Sequence, residues 1–216
     1  LAGLAFGAET MPIGFVNHFP MVAHQDDEMR LTGADTIIVR APWALIEPRE
    51  GEFTFSVLDE QLALADRNGL KLVVLLEAGP AHAAGVPWLV EKLTAEKQCM
   101  ANADGVQVRD PSLFSDTYRG YLERFIERTV SYLAGHRLSE HVAGYNNGCE
   151  WWYPRQSSYG APDRAAFGRA RQARYGTLES LNSRWGTGFS DWAQVQPPPL
   201  AIDGSAASVQ GGLLPL

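Results

Sequence analysis

The sequence predicts an α/β fold: a parallel sheet built from about four βα units, half of the eight that close a (β/α) barrel. Three observations predict it. Apolar runs recur at Thr36–Arg40, Leu70–Leu76 and Val142–Asn147; the first is β-branched, the pattern of a strand buried on both faces, and the last ends in small and amide residues. Stretches with helical spacing separate those runs, so successive strands are joined by helical crossovers and lie parallel. Glycine follows several of the helical stretches, at Gly69, Gly135 and Gly176, where helices commonly stop. Residues 1–199 read as one half-barrel domain of catalytic type, and residues 200–216 as an irregular tail.

In order, Ile13–Asn17 is a first short strand that exits through Asn17 and His18. Residues 25–31 suit a short helix stopped by Gly33. The Thr36–Arg40 strand leaves into a loop punctuated by two prolines and Gly51. Ser56 then opens a helix with Asp59 as its capping-box partner, and Leu58, Leu62 and Ala65 keep helical spacing. Leu70–Leu76 is the clearest strand, with a long loop after it to about Pro111. Asp116–Ala134 is the best helix: Leu122, Phe125, Ile126, Thr129 and Leu133 fall on one stripe. After the Val142–Asn147 strand, Asp163 is placed to cap a helix ending at Tyr175. Thr177 caps another, with Leu178, Leu181 and Trp185 on one face, and Pro197–Pro199 ends regular structure.

Composition narrows the partners. A net charge of −7 argues against nucleic acid or an anionic membrane and suits a neutral substrate. Arg164, Arg169, Arg171 and Arg174 share one helical stretch and read as a solvated face. Cys99 and Cys149 are the two cysteines, with neither C-x-x-C nor a Cys/His cluster, so no disulfide framework, metal or other cofactor is expected. The longest apolar run, Leu72–Leu76, is far too short to span a bilayer. The first ten residues lack a basic segment and do not read as a complete signal peptide, which leaves the compartment open between cytoplasm and secretion.

Chemistry concentrates at the strand exits, the end of a parallel α/β sheet where active sites are placed. These exits carry Asn17 and His18, then Arg40 and Trp43, then Glu77, then Asn147 with Glu150. Val142–Pro154 reads V-A-G-Y-N-N-G-C-E-W-W-Y-P, a lone carboxylic acid followed by three aromatics. Aromatic rings stack on the apolar faces of pyranoses, and a carboxyl group beside them can donate or accept a proton. Glu150 is therefore the catalytic candidate, with Arg40, Trp43, Glu77, Asn147, Trp151 and Trp152 as candidate substrate contacts. Each has a structural alternative: Arg40 buried against an acid, Trp43 covering the end of the sheet, Glu77 serving as the partner of Arg40. Trp185 and Trp192 read as packing residues.

Two segments carry a family resemblance. W-A-L-I-E-P-R-E-G-E-F-T-F-S-V-L-D with A-D-R-N-G-L-K-L-V-V, and R-Y-G-T-L-E-S-L-N-S-R-W-G-T-G-F-S-D-W-A-Q-V-Q-P-P, resemble the beta-galactosidase-like glycoside hydrolases with (β/α)8 barrels. The resemblance implies a partial TIM-type barrel and a retaining hydrolase of β-linked galactosides or similar neutral glycosides. Glu150 matches the acid/base glutamate at the end of the fourth strand, and Cys149 stands where the family has an asparagine. Asn147 is placed to substitute for that asparagine. The zinc-binding cysteines of some relatives are absent, so the resemblance implies no metal. G-C-E-W-W-Y-P also resembles a segment of the beta-amylases, a lesser alternative. The family nucleophile is a glutamate on the seventh strand, and no acid after Glu179 lies at a plausible strand exit. Three readings follow: a fragment inactive alone, two half-barrels paired as a homodimer, or Glu77 acting as the second carboxylate. Outside catalysis, the alternative is a carbohydrate-binding or self-associating half-barrel.

Overall fold

The computed structural model describes residues 33–146 and 159–198, together with the backbone of the strand at 14–16. In chain order the elements begin with β1 (Gly14–Val16), β2 (Thr36–Pro42), α1 (Trp43–Ile46), α2 (Ser56–Asn68) and β3 (Lys71–Glu77). Next come α3 (Pro80–Ala83), α4 (Pro87–Ala95), β4 (Cys99–Ala101), β5 (Gln107–Pro111) and α5 (Asp116–Gly135). After these are β6 (Val142–Asn146), α6 (Ala161–Tyr175) and α7 (Leu178–Trp185), with 3-10 turns at Ser139–His141 and Trp192–Gln194. The backbone packs as two units, Leu1–Ala78 with Phe125–Glu150, and Gly79–Arg124 with Trp151–Leu216. The division falls inside α5.

The first unit is a four-stranded sheet in the order β1-β2-β3-β6, every pair parallel. Along β2 the side chains alternate: Ile37, Val39 and Ala41 are buried, and Thr36, Ile38, Arg40 and Pro42 are half-buried. That period of two turns one face to the core and leaves the other partly open. Leu58, Leu62, Leu64 and Ala65 of α2 are buried, and Gly69 ends the helix in the left-handed region at φ 63°. The capping box expected at Ser56 does not form, because the helix starts one residue earlier than such a cap requires. Phe55 is the N-cap, and Asp59 instead accepts a hydrogen bond from the Tyr132 hydroxyl. Phe55 and Tyr132 stack with centroids 4.1 Å apart.

The strand at Thr36 runs two residues beyond its expected end, and Trp43–Ile46 then makes one helical turn where a loop was expected. Trp43 and Ile46, three residues apart on that turn, are both buried, which explains why the turn forms. Trp43 stacks on Phe125 of α5 with centroids 4.7 Å apart. Burying side chains of this size contributes about 1.5–3 kcal/mol each.

In the second unit the expected long loop before Pro111 is replaced by α3, α4 and the antiparallel β4–β5 hairpin. Prolines start both helices: Pro80 and Pro87 occupy the first turns of α3 and α4, where a missing N–H costs nothing. Leu89, Val90 and Leu93 bury the inner face of α4. The hairpin turns through Asn102–Gly105, where the Asn102 side chain accepts from Val106 N at 2.8 Å and Gly105 takes φ 82°.

A polar network ties this unit together. The Ser112 hydroxyl donates to Asp163 at 3.0 Å, the Ser115 hydroxyl to Gln98 at 2.8 Å, and Ser112 N to the Gln98 carbonyl at 3.1 Å. Asp163 is thus not the N-cap of α6. Gly160 takes that place, and Asp163 sits buried in the first turn. A Cβ on Gly160 would lie 2.5 Å from the Cys99 carbonyl oxygen, so glycine is required there by the approach of β4. Thr177 caps α7 as expected, accepting from Ser180 N at 3.2 Å. The expected helix at 25–31 and the tail at 200–216 lie outside the described residues.

Candidate active site

The ends of β2, β3 and β6 assemble one polar row in the first unit. Register pairs Arg40 with Leu75, Leu75 with Asn146, and Pro42 with Glu77. Paired residues of parallel strands share a face, and alternate residues along a strand return to it, so Arg40, Glu77 and Asn146 occupy one face near the strand ends. On that face the Arg40 guanidinium pairs with the Glu77 carboxylate. The Arg40 side chain is 29% exposed and that of Glu77 only 9%, so Arg40 is the more exposed member. A carboxylate this buried is held because a fixed cation answers its charge.

Arg40 is fixed from behind as well. Gln61, on the buried stripe of α2 with Leu58, Leu62 and Ala65, donates from Nε2 to the Arg40 carbonyl at 3.1 Å. Sequence reasoning missed Gln61, although a lone amide on an apolar helical stripe is itself a signal of a buried partner. It also missed Asn146, favouring its neighbour Asn147.

Trp43 was expected among the substrate contacts. The structure buries it instead, with 1% exposure and a face against Phe125. Its indole N–H donates to Glu47 at 2.9 Å, and the other oxygen of Glu47 accepts from Gly51 N at 2.8 Å. The fully buried Glu47 therefore clamps the chain as it leaves β2, and Trp43 packs beneath the row rather than facing a ligand. Asn17, His18, Asn147, Cys149, Glu150, Trp151 and Trp152 lie outside the described residues. In the chain, Glu150 follows Asn146 by four positions.

The pair offers guanidinium donors and carboxylate acceptors side by side. Sugar hydroxyls both donate and accept, so the row matches a neutral polyol. Among the described residues no group of three or more His, Cys, Asp or Glu side chains is placed to hold a metal ion. The second unit has a cavity of about 270 Å³ lined in part by Lys97, Cys99, Gln107, Gly160 and Arg164. Burial pushes the Cys99 thiol up from its usual range, which keeps it protonated and a poor nucleophile.

A family model for beta-galactosidases, glycoside hydrolase 42, matches residues 15–210. Beta-galactosidase BgaA from Thermus sp is 30% identical over 188 residues, covering 83% of this chain and 28% of the relative. The crystal structure of a beta-galactosidase from the psychrophilic Marinomonas ef1 aligns with a TM-score of 0.71 at 23% identity, over 89% of this chain and 30% of that one. The catalytic domain of a beta-amylase from Paenibacillus polymyxa aligns with a TM-score of 0.69 at 17% identity, over 93% and 55%. These structural likenesses establish the fold, a partial (β/α) barrel, in agreement with the βα order of the sequence. The chain spans about 30% of the length of the beta-galactosidases it matches.

Proposed function

Because the chain belongs to glycoside hydrolase family 42, the beta-galactosidase family, we propose that it acts on β-linked galactosides or similar neutral glycosides by a retaining double displacement. Glu150 protonates the leaving glycosidic oxygen in the first step and deprotonates water in the second. Arg40, Glu77 and Asn147 hold sugar hydroxyls, and Trp151 and Trp152 stack on the ring. Glu77 is assigned to binding, because its carboxylate is engaged by Arg40. The nucleophile is not assigned to a residue of this chain.

The observation that carries this reading is the Arg40–Glu77 pair at adjacent strand ends, on the face shared with Asn146. The test is Glu150→Gln assayed on an aryl β-galactoside. Loss of the acid/base lowers the rate about 10²–10⁴-fold. A parent chain that turns over, with a variant that keeps its rate, would overturn the assignment.

A second reading is a non-catalytic, carbohydrate-binding half-barrel that self-associates. It is favoured by β6, an edge among the described strands, where Tyr145 is 41% exposed. Mass in solution measured alongside turnover separates the two. A dimer that binds sugar without hydrolysis supports the second reading, and a monomer with turnover excludes it.

A further inference from the structure

We propose that Glu77 sets the charge of the sugar this site accepts: by occupying Arg40, it admits neutral glycosides and turns away those carrying a carboxylate. The proposal rests on the reading that this face binds sugar and goes beyond it by naming what is rejected and which atoms reject it.

An arginine at a strand end is a ready carboxylate receptor, since its planar fork matches two carboxylate oxygens at once. Here that fork already meets the Glu77 carboxylate. The Arg40 side chain is 29% exposed and the Glu77 side chain 9%, with Arg40 Nε buried, so an incoming group meets the two charges together in a partly buried place. A neutral hydroxyl can share the pair, accepting from Arg40 or donating to Glu77. A uronic acid carboxylate must either displace Glu77 from Arg40 or sit beside it as a second negative charge. In a partly buried place, both alternatives are unfavourable.

Pro42 and Glu77 are register partners at the ends of β2 and β3, and Gln61 donates to the Arg40 main-chain carbonyl from α2 at 3.1 Å, so the backbone brings the two charges to one place. There the pair supplies attraction for one substrate class and repulsion for another.

Titrating the isotopically labelled full chain with methyl β-galactopyranoside and methyl β-galactopyranosiduronate, followed by amide shifts, tests this. Wild type should favour the neutral sugar. Glu77→Gln should move the neutral-to-acidic preference toward the uronide by roughly 10- to 100-fold, the worth of a hydrogen bond to a charged group. Adding Arg40→Gln to that variant should abolish the gain, which identifies Arg40 as the receptor. Glu77→Asp, which keeps the charge but shortens its reach, should shift the preference less and serves if Glu77→Gln does not fold. A preference unchanged in both single variants, with the neutral sugar still bound, overturns this proposal alone. If wild type binds neither sugar, the sugar-binding reading fails and the discrimination falls with it.

Discussion

In the first unit polar side chains meet at the ends of parallel strands, whereas in the second they tie a hairpin to its helices. Arg40, Glu77 and Asn146 line one face of a parallel sheet whose ladder already satisfies the backbone. Gln98, Ser112, Ser115 and Asp163 are instead consumed in holding a short hairpin to its helices. A regular sheet satisfies its own backbone, whereas an irregular hairpin draws on side chains to hold it. The proposed function rests on the first unit, although a cavity of about 270 Å³ lies in the second.

Substitutions at four positions test that contrast. Trp43→Ala removes the ring stacked on Phe125 and should destabilise the first unit by about 3–5 kcal/mol. Hydrogen exchange should show lost protection in peptides spanning 36–77. Equal loss across 79–124 would show that the two units open together and would collapse the comparison.

Asp163→Ala leaves the buried Ser112 hydroxyl without its acceptor and should cost about 1–3 kcal/mol, seen first in the second unit. The charge at this position has a separate signature. Burial raises the Asp163 carboxyl above its ordinary 3.8. The folded chain then binds that proton more tightly than the unfolded one, so the contribution of this group to stability is full below 3.8 and is lost as pH rises through the folded value. Asp163→Asn should remove this fall, read as the difference between the two melting-temperature profiles. Identical profiles would mean that Asp163 titrates normally.

Tyr132→Phe should cost about 1 kcal/mol, since it loses only the half-buried bond to Asp59. Burial, then Asp59, pushes the Tyr132 hydroxyl up to about 12. Stability from that shift persists below 10 and disappears as pH rises through about 12. Burial also raises the Tyr145 hydroxyl, so an absorbance titration should show one late tyrosine fewer in the variant than in wild type. The smallest effect belongs to Thr177→Ala, an exposed cap of the second unit worth about 0.5–1 kcal/mol by denaturant unfolding. If that loss exceeded the one from Asp163→Ala, the buried network would not be what holds the unit.

The same contrast decides what could be read from sequence. β2 and β3 announce themselves through runs of Ile, Val and Leu, and α2 and α5 through stripes closed near Gly69 and Gly135. Those signals are periodic, and periodicity survives in one dimension. The Arg40–Glu77 pair was legible as an alternative for both residues, because strands one βα step apart in sequence end side by side. α3, α4 and the hairpin were not legible, since elements of 3–9 residues show too few periods and their prolines resemble breaks. Trp43 misled for another reason: a tryptophan just past a strand looks alike in sequence whether it faces a cleft or fills a core. What distinguishes the two is Phe125, eighty-two positions away.

Gly160 and Gly168 lie on the same stretch, at the cap and within α6, and they part company under mutation. Gly160 has φ −62° and ψ 164°, angles that any residue adopts, yet a single methyl there meets Cys99 O at 2.5 Å and Asp163 Oδ2 at 2.7 Å. At Gly168 a methyl meets nothing within 4 Å, and alanine is the better helix former by about 1 kcal/mol. The identical exchange is thus nearly forbidden at one position and favourable eight residues later. Chemical similarity between amino acids would score the two changes as equals. In a library of variants of this chain, the first should vanish and the second should be enriched.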